Sequence, residues 1–397
     1  MELYMAFDAT TELIGIRSSA SINTENFTWS TLPALNNHNG VCSIIIDNYL
    51  YAIGGSTTSS ATAFSGTCER LNLDVLGATW ESLPSLPAGI ESSIALFNEE
   101  TGYLHILVGN ITGDFSNRDY KLQIKPTLGN AWTQVFDAYA PKYGASDNRN
   151  YIYYKDKNYI FVLNSAQTNT DTQNTLSGIY ALNIKNGDWY YLGFPVALNL
   201  KSMFGAVYNG YLYIGGGFYN TTTTLYNKIH RLNLSILDEL YYNPNYLSNI
   251  VWEEYVTLPE LNYSNCYWAD GPYMYYLVNT TTANAGGHIV KRFNIETKTF
   301  DDIGVPNFPN TTELHVGGPA YRYKNYIYSL GVRNNTTNNF GINTGYKLHI
   351  DRDIEYYGWN FNGSIRAYTE FTSIQSDFVR DNSVVINTPL ASLNSDG

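Results

Sequence analysis

The chain has 397 residues, of which 44% are hydrophobic and only 15% charged, with a formal net charge of −12 and a pI near 4.9. Globular proteins usually carry ~25% charged residues. No cluster of Lys and Arg is present, which disfavours nucleic-acid binding, because neutralising phosphates requires clustered cations.

Tyr reaches 36 residues, and Asn, Thr and Ser are abundant. Few charges with much Tyr, Asn and Thr is a composition expected of an extracellular or virion-surface protein. Cys42, Cys68 and Cys266 are odd in number and lack CxxC spacing, so they predict neither a disulfide framework nor a zinc site. They read as small core residues. The first residues, MELYMAFDATTELIGIR, show neither a basic region nor an apolar core of signal-peptide type. No apolar run is long enough to span a membrane. The expectation is export inside an assembled particle, or secretion with a leader already removed.

In chain order, four marks repeat. The first is Trp or Phe followed by a short strand, often ending in Leu-Pro. It falls at Trp29, Trp80, Trp132, Trp189, Trp252 and Phe300, with spacings of 51, 52, 57, 63 and 48. The second is a strand of small and apolar residues, such as 40–46 or 203–208. The third is a turn and a Tyr-rich strand, as in DNYLYAIGG (47–55), KDKNYIFVLN (155–164), NGYLYIGGGF (209–218), DGPYMYYLV (270–278) and KNYIYSLG (324–331). Asn209-Gly210 is a strong hairpin signal, because both central residues of that turn need φ > 0. The fourth is a strand with one polar residue between apolar ones, including Leu71-Asn72-Leu73, Leu122-Gln123-Ile124 and Leu232-Asn233-Leu234.

Four short antiparallel strands per ~50 residues predict the blades of an all-β propeller. The Trp marks, the double glycines Gly54-Gly55 and Gly215-Gly216, and the stretch FNIETKTF (293–300) resemble the kelch repeat. The resemblance covers residues ~12 to ~360 and implies the fold, while leaving function open, since such propellers include enzymes, adaptors and adhesins. Six full sets run from Trp29 to Ile350, and Ile14–Trp29 reads as a further third strand, turn and fourth strand. Seven blades are therefore favoured, with six as the alternative. The expected layout is one domain over 1–390, with 1–28 and 351–390 sharing the closing blade, and a tail at 391–397.

The second-to-third connections are long and polar (56–66, 110–118, 165–177, 219–226, 279–287 and 333–344), and the opposite face has tight turns apart from the insertion 238–249. Binding usually resides on such loops. Tyr219, Tyr226, Tyr241, Tyr242 and Tyr246 are the candidate ligand- or partner-binding residues, because Tyr offers a rigid apolar face and one hydroxyl. Arg70, Arg231 and Arg292, with Lys121 and Lys347, share one repeat position and read as structural pairing. The alternating Asp351, Asp353 and Glu355 read as a solvated strand face. Asn-x-Ser/Thr sequons, among them Asn26, Asn110, Asn220, Asn233, Asn262, Asn279, Asn310, Asn335 and Asn362, are compatible with glycosylation.

No GxSxG, HExxH, Walker or Rossmann motif occurs, and the six His residues are scattered singly. No cofactor, catalytic residue or metal site is therefore expected. The sequence reads as a non-enzymatic binding or assembly module. The leading context is a virion, in a bacteriophage tail, fibre or capsid-associated role, with other virion proteins or a host-surface glycan or protein as partners within a multi-subunit assembly. A secreted adhesin and a sugar-modifying kelch enzyme are the alternatives.

Overall fold

The computed structural model describes residues 3–8, 11–16, 27–36, 38–39, 41–57, 60–90, 93–111, 114–136, 150–163, 178–193, 200–201, 203–219, 225–238, 250–260, 266–278, 289–301, 313–315, 319–330, 332–334 and 344–349. The chain divides into two units, Thr28–Leu348 and a terminal unit made of Met1–Phe27 with His349–Gly397. In the terminal unit, Leu3–Asp8 and Thr11–Ile16 pair as an antiparallel hairpin in the register Leu3↔Ile16 to Asp8↔Thr11.

The larger unit is a ring of six blades, each a four-stranded antiparallel sheet. Blade 1 runs from its inner strand Cys42–Ile46 through Tyr49–Ile53 and Cys68–Asn72 to its outer strand Glu81–Ser82. Blade 2 uses Ile94–Asn98, Tyr103–Ile111, Asp114–Gln123 and Thr133–Phe136. Blade 3 uses Tyr151–Tyr154, Tyr159–Val162, Tyr180–Asn183 and Trp189–Tyr191. Blade 4 uses Phe204–Tyr208, Tyr211–Gly215, Lys228–Asn233 and Glu253–Thr257. Blade 5 uses Tyr267–Asp270, Tyr273–Val278, Ile289–Asn294 and Thr299–Asp301. Blade 6 takes its three inner strands, Tyr321–Tyr323, Tyr326–Ser329 and Thr344–His349, from the far end and its outer strand, Thr28–Ala34, from the near end.

Six blades replace the favoured seven. The strand holding Trp29 is the outer strand of the last blade, so it completes an existing sheet and adds none, while Thr11–Ile16, expected as the third strand before it, pairs with Leu3–Asp8. The ring is closed by strands from both ends, as expected, but the near-end strand begins at Thr28. Residues 351–390 lie outside the described residues, as do Asp351, Asp353 and Glu355.

The Trp marks have a shared physical cause. The Trp80 indole N–H donates to the Pro33 carbonyl at 2.9 Å, that of Trp132 to Pro84 at 2.7 Å and that of Trp252 to Leu192 at 2.8 Å. Each bond joins the start of one blade's outer strand to the end of the preceding blade's outer strand. A large apolar ring fills the seam while its one polar atom is satisfied there. Trp189 begins the outer strand of blade 3. In blade 5, Phe300 takes the Trp place and stacks on Phe293 at 4.7 Å between centroids.

The repeated cation lies over the first Tyr of the neighbouring strand. Arg70 stands 4.4 Å from the Tyr49 ring centroid, Lys121 4.8 Å from Tyr103, Arg231 4.6 Å from Tyr211, Arg292 4.4 Å from Tyr273 and Lys347 4.7 Å from Tyr326. Arg70 and Arg231 also reach outer-strand carboxylates, Glu81 at 2.9 Å and Glu253 at 2.8 Å. This is pairing within a blade. Blade 3 departs from it, with Ala181 at the cation position.

The glycines end the second strands where chains crowd. A Cβ on Gly54, whose φ is +66°, would lie 2.4 Å from the Ile90 carbonyl oxygen, while Gly55 N–H donates to that same oxygen at 2.7 Å. Gly215 backs onto Ile229, 2.7 Å from where its Cβ would be, and Gly216 has φ +62°. Asn209 and Gly210 both have positive φ, as their turn requires.

Candidate functional site

The axis of the ring is the first place to look for chemistry, because the inner strands converge there. Tyr151, Tyr267 and Tyr321 are each the first residue of an inner strand. The Tyr151 hydroxyl donates to the Ser43 carbonyl at 3.1 Å and bonds the Tyr321 hydroxyl, which must then be the donor. The Tyr267 hydroxyl donates to the Tyr151 carbonyl at 2.9 Å. Blades 3 and 6 are opposite one another in a ring of six, so the Tyr151–Tyr321 contact spans the axis. Burial raises all three phenols above their ordinary range, helped at Tyr151 by the neighbouring Tyr321. All three stay protonated and act as crosslinks.

The thiols are buried as well, Cys42 and Cys266 at the inner strands and Cys68 on the third strand of blade 1. Cys42, Cys68 and Cys266 are free and buried, and burial pushes each up to about 12. A nucleophilic thiol needs the opposite shift. Among the described residues no group of three or more His, Cys, Asp or Glu gathers to hold a metal ion.

The long-loop face is built partly from short ribbons. His38–Asn39 pairs with Ser56–Thr57, which pairs with Ser60–Phe64. Leu200–Lys201 pairs with Phe218–Tyr219, and Glu313–His315 pairs with Val332–Asn334. Each ribbon ties the strand entering a blade to the start of that blade's long loop.

The tyrosine candidates separate. The Tyr219 backbone belongs to one of these ribbons, opposite Leu200. Tyr226 is buried, stacked on His230 at 5.8 Å, with its hydroxyl 2.6 Å from His230 Nε2. Its place in the core leaves no exposed ring for a partner, because its strand-entry position faces inward. Tyr241, Tyr242 and Tyr246 lie outside the described residues.

The short-turn face carries charge pairs across blade boundaries. Lys125–Asp47 at 2.7 Å joins blades 2 and 1, Lys157–Asp238 at 3.2 Å joins 3 and 4, Arg322–Asp270 at 2.8 Å joins 6 and 5, and Lys324–Asp74 at 2.5 Å joins 6 and 1. Blades 2 and 3 share two pairs, Lys155–Glu99 at 2.8 Å and Lys185–Glu100 at 3.5 Å. Between blades 4 and 5 the Tyr208 hydroxyl donates to Glu296. Each of the six boundaries is thus tied on this face, although single exposed pairs contribute little to stability.

One boundary on this face opens into a groove of about 190 Å³ between blades 2 and 3. Phe97, Ile184 and Tyr153 supply its apolar lining, and Asn98 and Asn158 their amides. Tyr153 is 39% exposed. Sequence reasoning missed this groove. The available signal was turn length. The inner hairpins of blades 1, 4, 5 and 6 turn in two residues, whereas blade 2 uses 99–102 and blade 3 uses 155–158.

These features define a six-bladed β-propeller of four-stranded antiparallel blades, with its axis bridged by phenols and its accessible polar chemistry on the rims. No protein-family profile matches the chain, and no curated protein sequence does.

Proposed function

We propose that the protein is a non-enzymatic binding or assembly module of kelch-type repeats, serving as a virion component in a tail, fibre or capsid-associated position. The observation that carries the non-enzymatic reading is the bridged axis. Its nucleophilic groups are protonated and turned into inter-blade contacts. That leaves the rim loops for recognition. The kelch reading rests on the Trp at the outer strands and on Gly54-Gly55 and Gly215-Gly216 at the second-strand ends. The virion reading rests on composition: few charges and abundant Tyr, Asn and Thr.

The test is fractionation of particles from the source culture on a density gradient. The expected result is the chain in the particle band at fixed stoichiometry. Its presence only in the soluble or secreted fraction overturns the virion reading. Turnover of free sugars by the purified protein overturns the non-enzymatic one.

A further inference from the structure

The groove between blades 2 and 3 lies where the repeat departs from its own turn length. The two blades with four-residue inner turns are neighbours, and those turns form its walls. Departures from an otherwise consistent local pattern concentrate at functional sites.

The chemistry of the groove narrows its ligand. At about 190 Å³ the groove is smaller than the ~300–1,000 Å³ of pockets for drug-sized ligands, which limits it to a single small ring. Both carboxylates at its edge are already compensated, Glu99 by Lys155 and Glu100 by Lys185. A charged ligand would therefore find no uncompensated carboxylate there to pair with. A neutral polyol can bridge acceptor and donor without breaking a pair. Tyr153 offers a ring and a hydroxyl. Burial and the nearby Glu99 charge raise its phenol, so it remains a donor.

We propose that this groove binds one neutral sugar ring, packed on Tyr153 and hydrogen-bonded by Asn158 and the two ion pairs. This deepens the binding-module reading and rests on it. Asn158 sits at φ +58°, a conformation glycine adopts freely, so Asn158→Gly removes the amide without straining the turn.

The test is saturation-transfer NMR with the methyl glycosides of glucose, galactose, mannose and N-acetylglucosamine. It uses the full chain and the variants Tyr153→Ala and Asn158→Gly, with thermal midpoints confirming that both variants fold. The expected result is transfer to at least one glycoside, with affinity at least tenfold weaker in each variant. Absence of transfer to all four glycosides overturns the proposal. So does binding that neither variant weakens; such binding places a sugar site elsewhere and leaves the module reading standing. Failure of that broader reading shows separately, in the particle gradient.

Discussion

The backbone N–H of Asn36 donates to the Glu69 carboxylate at 2.9 Å, and the Asn36 side-chain amide donates to the other carboxylate oxygen. Glu69 is fully buried in blade 1, while Asn36 follows the outer strand of blade 6. A buried carboxylate thus clasps the seam where the ring closes. Hydrogen bonds to a charged group are worth about 1.5–3 kcal/mol each. Glu69→Ala should cost about 3 kcal/mol, leaving two donors unmet, and Glu69→Gln should cost less. Urea denaturation midpoints check both, and an unchanged midpoint for Glu69→Ala would refute the clasp.

The indole bonds predict additive losses. Trp80→Phe and Trp132→Phe keep most of each ring but orphan the Pro33 and Pro84 carbonyls. Each should cost about 1–3 kcal/mol. Because the two act at different seams, the double variant should lose about the sum. Chemical denaturation of the three variants is the measurement.

Gly54→Ala should destabilise more than an ordinary strand substitution. The new methyl would meet the Ile90 carbonyl at 2.4 Å, and φ +66° disfavours any L side chain. Gly210→Ala has the same type of φ, +74°, but open space around it. Gly54→Ala should therefore show the larger fall in melting temperature of the two.

His230 should make stability depend on pH. It is buried against Tyr226, and burial lowers its pKa below the usual 6.5. The unfolded chain then binds the proton more readily than the folded one. Its contribution is fully present above about pH 6.5 and is lost as pH falls towards the lowered folded value. Thermal midpoints between pH 7.5 and 5.5 should fall for the native chain, and fall less for His230→Gln.

Much of this architecture was legible because the repeat marks have local causes. Trp marks the seam bonds, the double glycines mark close backbone approach, and the recurring Arg marks a tyrosine beneath it. The expected seventh blade arises from Ile14–Trp29, which has the local look of a third and fourth strand, while only long-range pairing reveals that the strand at Trp29 completes the last blade and that Thr11–Ile16 pairs with Leu3–Asp8. The axial tyrosines were hidden by abundance. Tyr151, Tyr267 and Tyr321 differ from the other tyrosines only in opening inner strands, and nothing local shows that three such positions meet. Tyr226 reads as a loop residue, and only its contact with His230 places it inside.

Closure by Thr28–Ala34 also sets an order of events during synthesis. This strand leaves the ribosome before any blade is complete, yet its partner, Thr344–His349, emerges after the other five blades. Until then the nascent chain carries one unmatched strand at its front and a sheet edge at its back, the two features most prone to pairing with another molecule. Crowded, simultaneous translation of many copies is therefore the condition under which this ring would exchange its first strand between chains.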